Sequence, residues 1–198
     1  MARTGSESMF FKWLFLSAVL LSLFGCGPRQ ERNPIPRRTA YPRVEAYDSL
    51  YRRVPQVDGL NVELNASCLV TVPRDSADVV WIDASYPRYK AVLHLTVNRA
   101  SGKELADIIG NREERFARDT DGSRVSVTNV YNDISEVWIG RGGGLVTPLH
   151  IMATDGETFV LSGALELKGA PATLEEVSPV VDAVCDDLVH LGRNLRLR

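Results

Sequence analysis

The sequence predicts an α+β domain, a mainly antiparallel β-sheet covered by two helices. Three observations carry this. Apolar and polar residues alternate with period two in stretch after stretch from residue 61 onward, only two stretches show the helical period, and the strand-like stretches mostly follow one another directly. A doubly wound parallel sheet would instead interleave strands with helices. The 198 residues, 44% hydrophobic and 24% charged, have ordinary globular composition and suit one folded domain, residues 60–198. Lys+Arg at 23 against Asp+Glu at 25 gives a net charge of -2. That is too little positive charge to neutralise a phosphate backbone, so nucleic acid is not an expected partner. The three cysteines, at positions 26, 68 and 185, have neither the density of a disulfide scaffold nor zinc-ligand spacing. No metal or other cofactor is expected.

Taken from the N-terminus, Arg3 and Lys12 precede an uncharged apolar run from Trp13 to Phe24 that stops at Gly25-Cys26. The run is well short of the roughly 20 residues of a bilayer-crossing helix and suits the apolar region of an export signal, so residues 1–25 read as a signal peptide. Leu23-Phe24-Gly25-Cys26 resembles the bacterial lipobox, which implies cleavage before Cys26 and acylation of its thiol, palmitate included. An ordinary signal with an incidental cysteine is the alternative. Each buried CH₂ of an acyl chain contributes about 0.8 kcal/mol, so such a chain is anchored to a membrane without spanning it. Residues 26–59 carry Pro28, Pro34, Pro36, Pro42 and Pro55 among Arg29, Arg32, Arg37, Arg38 and Arg43. Proline at that density favours an extended tether, whose arginines either touch headgroups or an acidic partner or simply keep the tether solvated.

Strands are expected at 61–65, 68–72, 79–85, 90–97, 124–131, 134–140, 149–154 and 158–167, all rich in β-branched and aromatic residues. The first helix starts at the capping-box spacing Ser101-Gly102-Lys103-Glu104, continues with Leu105, Ile108, Ile109 and Phe116 at helical intervals, and ends near Asp119 before Asp121-Gly122. The second is expected to start with Ser178 as N-cap and Pro179 as first residue, its stripe being Val180, Val181, Val184, Leu188, Leu191 and Leu195. Between the strands at 149–154 and 158–167, a three-residue loop 154–156 with left-handed Gly156 pairs Ala153 with Glu157, Ile151 with Phe159 and Leu149 with Leu161. This register gives one clean apolar face, whereas a two-residue turn pairing Ile151 with Val160 does not.

Few residues suggest chemistry. Gly142-Gly143-Gly144 lacks the Lys and Ser/Thr of a phosphate loop, and Ser162-Gly163 lies mid-strand, not in a nucleophile elbow. His94 and His150 point to the same sheet face, opposite Leu93/Leu95 and Leu149/Ile151, but a zinc site needs a third or fourth ligand, so hydrogen-bonded or exposed imidazoles are expected. On the last helix Asp187 and His190 share one border of the apolar stripe. An i,i+3 carboxylate and imidazole can form an acid–base dyad; without a nucleophile in sight, a structural or docking pair is the expectation. Asp182 and Asp186 point outward as solvating groups. Cys68 and Cys185 either form a disulfide, which would close a long loop and contribute about 4 kcal/mol, or stay as separately buried thiols.

Several stretches taken in order resemble one family: Pro34-Ile35-Pro36 to Tyr41-Pro42-Arg43, Trp81-Ile82 with Tyr86-Pro87, Leu93-His94-Leu95, Phe159 to Leu165, and Asp186 to Leu191. The family is GldD, lipoproteins of gliding Bacteroidota. The resemblance implies an envelope accessory or scaffold protein of gliding motility and type IX secretion, without a known reaction and with protein partners in that machinery. It is also similar in layout to PsbP-like α+β sandwiches, a likeness of fold alone. Gly27 after the cysteine, by a rule borrowed from other bacteria, points to the outer membrane, and the lack of an acidic cluster after Cys26 to a periplasm-facing domain. No enzymatic activity is expected. The alternatives are a periplasmic small-ligand carrier, with an apolar cavity between sheet and helices, and an envelope enzyme using Asp187 and His190.

Overall fold

The computed structural model describes Glu45 and residues 47–55, 57–169 and 173–198. The signal peptide, Cys26 and the tether as far as residue 44 lie outside the described residues. The strands are β1 (Tyr51–Arg53), β2 (Leu60–Asn61), β3 (Glu63–Asn65), β4 (Leu69–Asp75), β5 (Val79–Tyr86), β6 (Ala91–Arg99), β7 (Val125–Ser126), β8 (Glu136–Arg141), β9 (Leu149–Thr154), β10 (Phe159–Leu167) and β11 (Arg196–Leu197). Helix α1 (Gly102–Asp119) follows β6, helix α2 (Leu174–Asn194) follows β10, and a 3₁₀ turn, Pro87–Tyr89, separates β5 from β6. Among the described residues no helix is long and apolar enough to cross a membrane.

The main sheet has the order β4-β5-β6-β10-β9-β8-β7, antiparallel throughout. It is the expected α+β fold, with one helix on each face. Alternation sends Val80, Ile82 and Ala84 of β5, Leu93, Leu95 and Val97 of β6, Leu149 and Ile151 of β9, and Leu161 and Leu165 of β10 to one side. There they bury against Val177, Val181, Val184, Leu188 and Leu191 of α2 in the principal core. The opposite side has a smaller cluster, in which Leu105 and Phe116 of α1 cover Met152 and Val160. Truncating a fully buried leucine such as Leu188 to alanine removes about 2–5 kcal/mol from this arrangement.

Four expectations are corrected. The second helix begins five residues before Pro179, at Leu174, because Thr173 caps it: its hydroxyl accepts the Glu176 N–H at 3.3 Å. Pro179 then lies inside the helix, where it lacks the N–H that the Glu175 carbonyl would take. Residues 47–55 and 57, assigned to the tether together with the proline- and arginine-rich stretch before them, are part of the folded body. There β1 pairs with β3, and Val54 and Val57 are buried in the core. The expected strand 124–131 shrinks to β7, because Asn129 leaves the sheet to serve the end of α2, its Nδ2 donating to the carbonyls of Gly192 at 3.0 Å and Leu195 at 2.6 Å.

The fourth correction is the β9–β10 register, which pairs Thr154 with Val160, Ala153 with Leu161 and Leu149 with Leu165. Asp155 is the cause. Its Oδ1 accepts the N–H groups of Glu157, Thr158 and Phe159 at 3.0, 2.9 and 3.1 Å and its Oδ2 takes the Thr158 hydroxyl, a knot that lengthens the loop. Gly156 is left-handed as expected, with φ of 79°. The slip relative to the expected pairing is an even number of residues, so the apolar face is unchanged.

Candidate functional site

Asp187 is the centre of a polar network under the N-terminal segment. It lies on α2 one turn from Leu191, at the border of the apolar stripe, where β1, β3 and β5 converge. Its Oδ1 accepts the Tyr51 hydroxyl at 3.0 Å and Asn65 Nδ2 at 3.2 Å, and its Oδ2 the Tyr86 hydroxyl at 3.1 Å. Burial and the adjacent carboxylate push the Tyr51 phenol up to about 12, and the fully buried Tyr86 well above its ordinary range. Both stay protonated as donors. The network holds the carboxylate in place.

His190 and Asp187 do not form the dyad their spacing allows. His190 Nε2 meets Glu63 Oε2 of β3 at 3.3 Å, and Asn194 Nδ2 donates to the His190 carbonyl at 2.9 Å. The Tyr51 ring stacks on the imidazole, centroids 3.4 Å apart and planes 6° apart, while its hydroxyl reaches Asp187. Tyr51 thus joins the two residues from a segment that sequence reasoning placed in the tether. Its aromatic character beside Pro55 was the one signal present.

Cys68 and Cys185 are both free. Two residues of helix turn Cys185 roughly 200° away from the side on which Asp187 meets Tyr86 and Cys68. The Cys68 thiol sits against the Tyr86 hydroxyl, and burial pushes it up to about 11. Cys185 is beside Arg141, and its thiol is raised by burial despite that guanidinium. Asp182, expected only to solvate, takes Arg141 Nη2 at 2.6 Å.

The two other histidines lie on the outer sheet face, as their alternation requires, but apart. Ala164 of β10 is in register with both His94 of β6 and His150 of β9, so two strand spacings, about 10 Å, separate them. His94 Nδ1 meets Asp83 at 2.7 Å and its Nε2 meets Glu166 at 3.0 Å, which ties β5, β6 and β10 together. Burial works to lower this imidazole, but the two carboxylates outweigh it and raise the pKa above the ordinary value. His150 Nε2 donates to the Thr147 carbonyl at 2.9 Å. Among the described residues no group of three or more His, Cys, Asp or Glu side chains is arranged to hold a metal ion.

Between α1 and this outer face runs a cleft of 260 Å³, with Thr96, Ser162 and Ala164 on its floor and Arg112 and Arg115 on its helical wall. Its lining mixes polar and apolar groups, unlike the apolar cavity expected of a carrier. The glycine-rich loop 142–144 runs against the end of α1: a Cβ on Gly142 would lie 2.5 Å from the Asp119 carbonyl, so glycine there lets the loop pass.

No curated protein and no solved structure matches the chain. A family model does, over residues 31–196, a span that takes in every described element except the last residue of β11. That model describes the gliding motility lipoprotein GldD. With five-sixths of its length matched, the chain belongs to the GldD family of gliding motility lipoproteins.

Proposed function

We propose that this lipoprotein is an accessory scaffold of the gliding and type IX secretion machinery, acylated on Cys26, held in the outer membrane and facing the periplasm. It acts by binding envelope partners, not by turnover. The observation that carries this reading is the use of Asp187 and His190: each is engaged with Tyr51, Tyr86, Asn65 or Glu63 in bonds that clasp the N-terminal segment to α2. An anchored domain works at a raised effective concentration beside its partners, and that advantage goes with the anchor.

The test compares three strains for spreading and secretion. Gene deletion is expected to impair both, Cys26→Ala to reproduce much of the loss with the protein released from the membrane fraction and unlabelled by palmitate, and His190→Ala to track only lost stability or partner capture. Unchanged membrane association of Cys26→Ala overturns the anchor, recovery in the inner membrane alone overturns the placement, and protease sensitivity on intact cells overturns the orientation. A folded, anchored His190→Ala protein that captures its partners yet supports neither process argues for chemistry.

A further inference from the structure

We propose that the cleft between α1 and the outer sheet face binds the oxyanion group, carboxylate or phosphate, of a small ligand through Arg112 and Arg115. This goes beyond the scaffold reading and does not depend on it. The space exists because β10 is the central strand and carries only Ser162 and Ala164 outward at this point, while β6 and β9 on either side carry His94 and Met152. Small side chains between larger ones leave a trough, and α1 closes one side of it.

Charge selects the occupant. Arg112 and Arg115 are one turn apart on α1, and neither makes an ion pair among the described residues. Arg112 is half-buried and its Nη2 donates only to the neutral Asn98 Oδ1 at 3.2 Å. Burial and the like charge of Arg115 lower its pKa, as expected of a cation short of a counter-charge. Of the carboxylates nearby, Asp119 lines the cleft too and meets Arg118 through Oδ1 at 3.4 Å, Asp83 and Glu166 meet His94, and Glu113 and Glu114 are not part of the cleft lining. A partly desolvated guanidinium without a carboxylate is costly, and an incoming oxyanion relieves that cost with charge-assisted, bidentate bonds. The Thr96 and Ser162 hydroxyls on the floor add neutral donors at the same place.

The test is a titration of the full-length, ¹⁵N-labelled chain in a non-ionic detergent, at fixed ionic strength, with inorganic phosphate and separately with acetyl-alanyl-alanine. Saturable amide shifts centred on Arg112, Arg115 and Ser162 are expected with at least one probe, and a response to only one identifies the source of the oxyanion. Arg112→Gln/Arg115→Gln is expected to weaken the response at least tenfold. Arg115 is exposed, so Arg115→Gln alone serves if the double variant does not fold, with an expected loss of threefold or more. The proposal is overturned by the absence of saturable shifts with both probes, by shifts centred elsewhere, or by an undiminished response in Arg115→Gln.

Discussion

Asp187→Ala takes one acceptor away from three donors at once, and the structure says which of them suffers. Asn65 Nδ2 keeps the Asp48 carbonyl at 3.1 Å, and the Tyr51 side chain is only half-buried. Tyr86 is fully buried, and its hydroxyl keeps only the weakly accepting Cys68 sulfur for company. A hydrogen bond to a charged group contributes about 1.5–3 kcal/mol, and an orphaned buried hydroxyl costs about 1–3 kcal/mol. Because these bonds share one carboxylate they do not add, so the expected loss is about 3 kcal/mol, with Tyr86 the largest single share. Tyr86→Phe, which removes the donor as well, costs about 1 kcal/mol, and in its background the Asp187→Ala penalty shrinks by about 1–2 kcal/mol. Urea denaturation of the full chain in detergent, followed by tryptophan fluorescence, measures all four corners of the cycle. A loss below about 0.5 kcal/mol for Asp187→Ala, or an additive cycle, refutes the assignment of this carboxylate as the clasp.

The raised pKa of His94 means that the fold favours its protonated form. Its contribution is therefore complete below about pH 6.5, the unfolded value, and fades as pH rises through the folded value; water screening keeps it modest. An imidazole titration by NMR is expected to give a midpoint above about 6.5, and His94→Gln to flatten the stability profile on that alkaline side. Asp155 behaves oppositely: burial opposes ionisation, but the Thr158 hydroxyl and three N–H groups hold its pKa below the usual value. Its contribution is present above the unfolded value of about 4 and is lost as pH falls through the lower folded value, so Asp155→Ala is expected to cost about 1–2 kcal/mol at pH 7 and nearly nothing in strong acid, by denaturation at the two pH values. With the Cys68 thiol at about 11 and Cys185 raised, iodoacetamide at pH 8 is expected to label neither quickly in the native protein and both after denaturation without reductant, as read by mass spectrometry.

Alternation made the main sheet legible because its strands separate a core face from an outer face residue by residue. The same signal is blind to an even slip, and the β9–β10 register went astray by that route: the apolar face of Phe159 and Leu161 came out right while Asp155 reset the pairing. Asn129 follows the alternating Val125 and Val127, yet it leaves the sheet for carbonyls at the end of α2 that no local pattern reveals. Helical geometry brought Asp187 and His190 to one border, but the residue that joins them, Tyr51, comes from a segment whose prolines and arginines hide a short strand. The cleft was illegible for a different reason. It is made by what Ser162 and Ala164 lack in size and by where α1 crosses the sheet, and neither is written in any single stretch.

The strand order also governs when this domain can exist. The partner that fills the inner edge of β6 is β10, which lies beyond α1 and three further strands in the chain. Until residues 159–167 have been made, β6 offers a long row of unpaired backbone groups flanked by Leu93, Leu95 and Val97, the kind of edge that recruits other chains. The last clip comes later still, when Arg196 and Leu197 of β11 pair with Asn61 and Leu60 of β2. Such non-local pairing makes folding slow and late, so the sequence gains little from collapsing while it is being synthesised. A chain built this way is suited to remaining extended while it is made and condensing only once β10 and β11 are available to close the sheets.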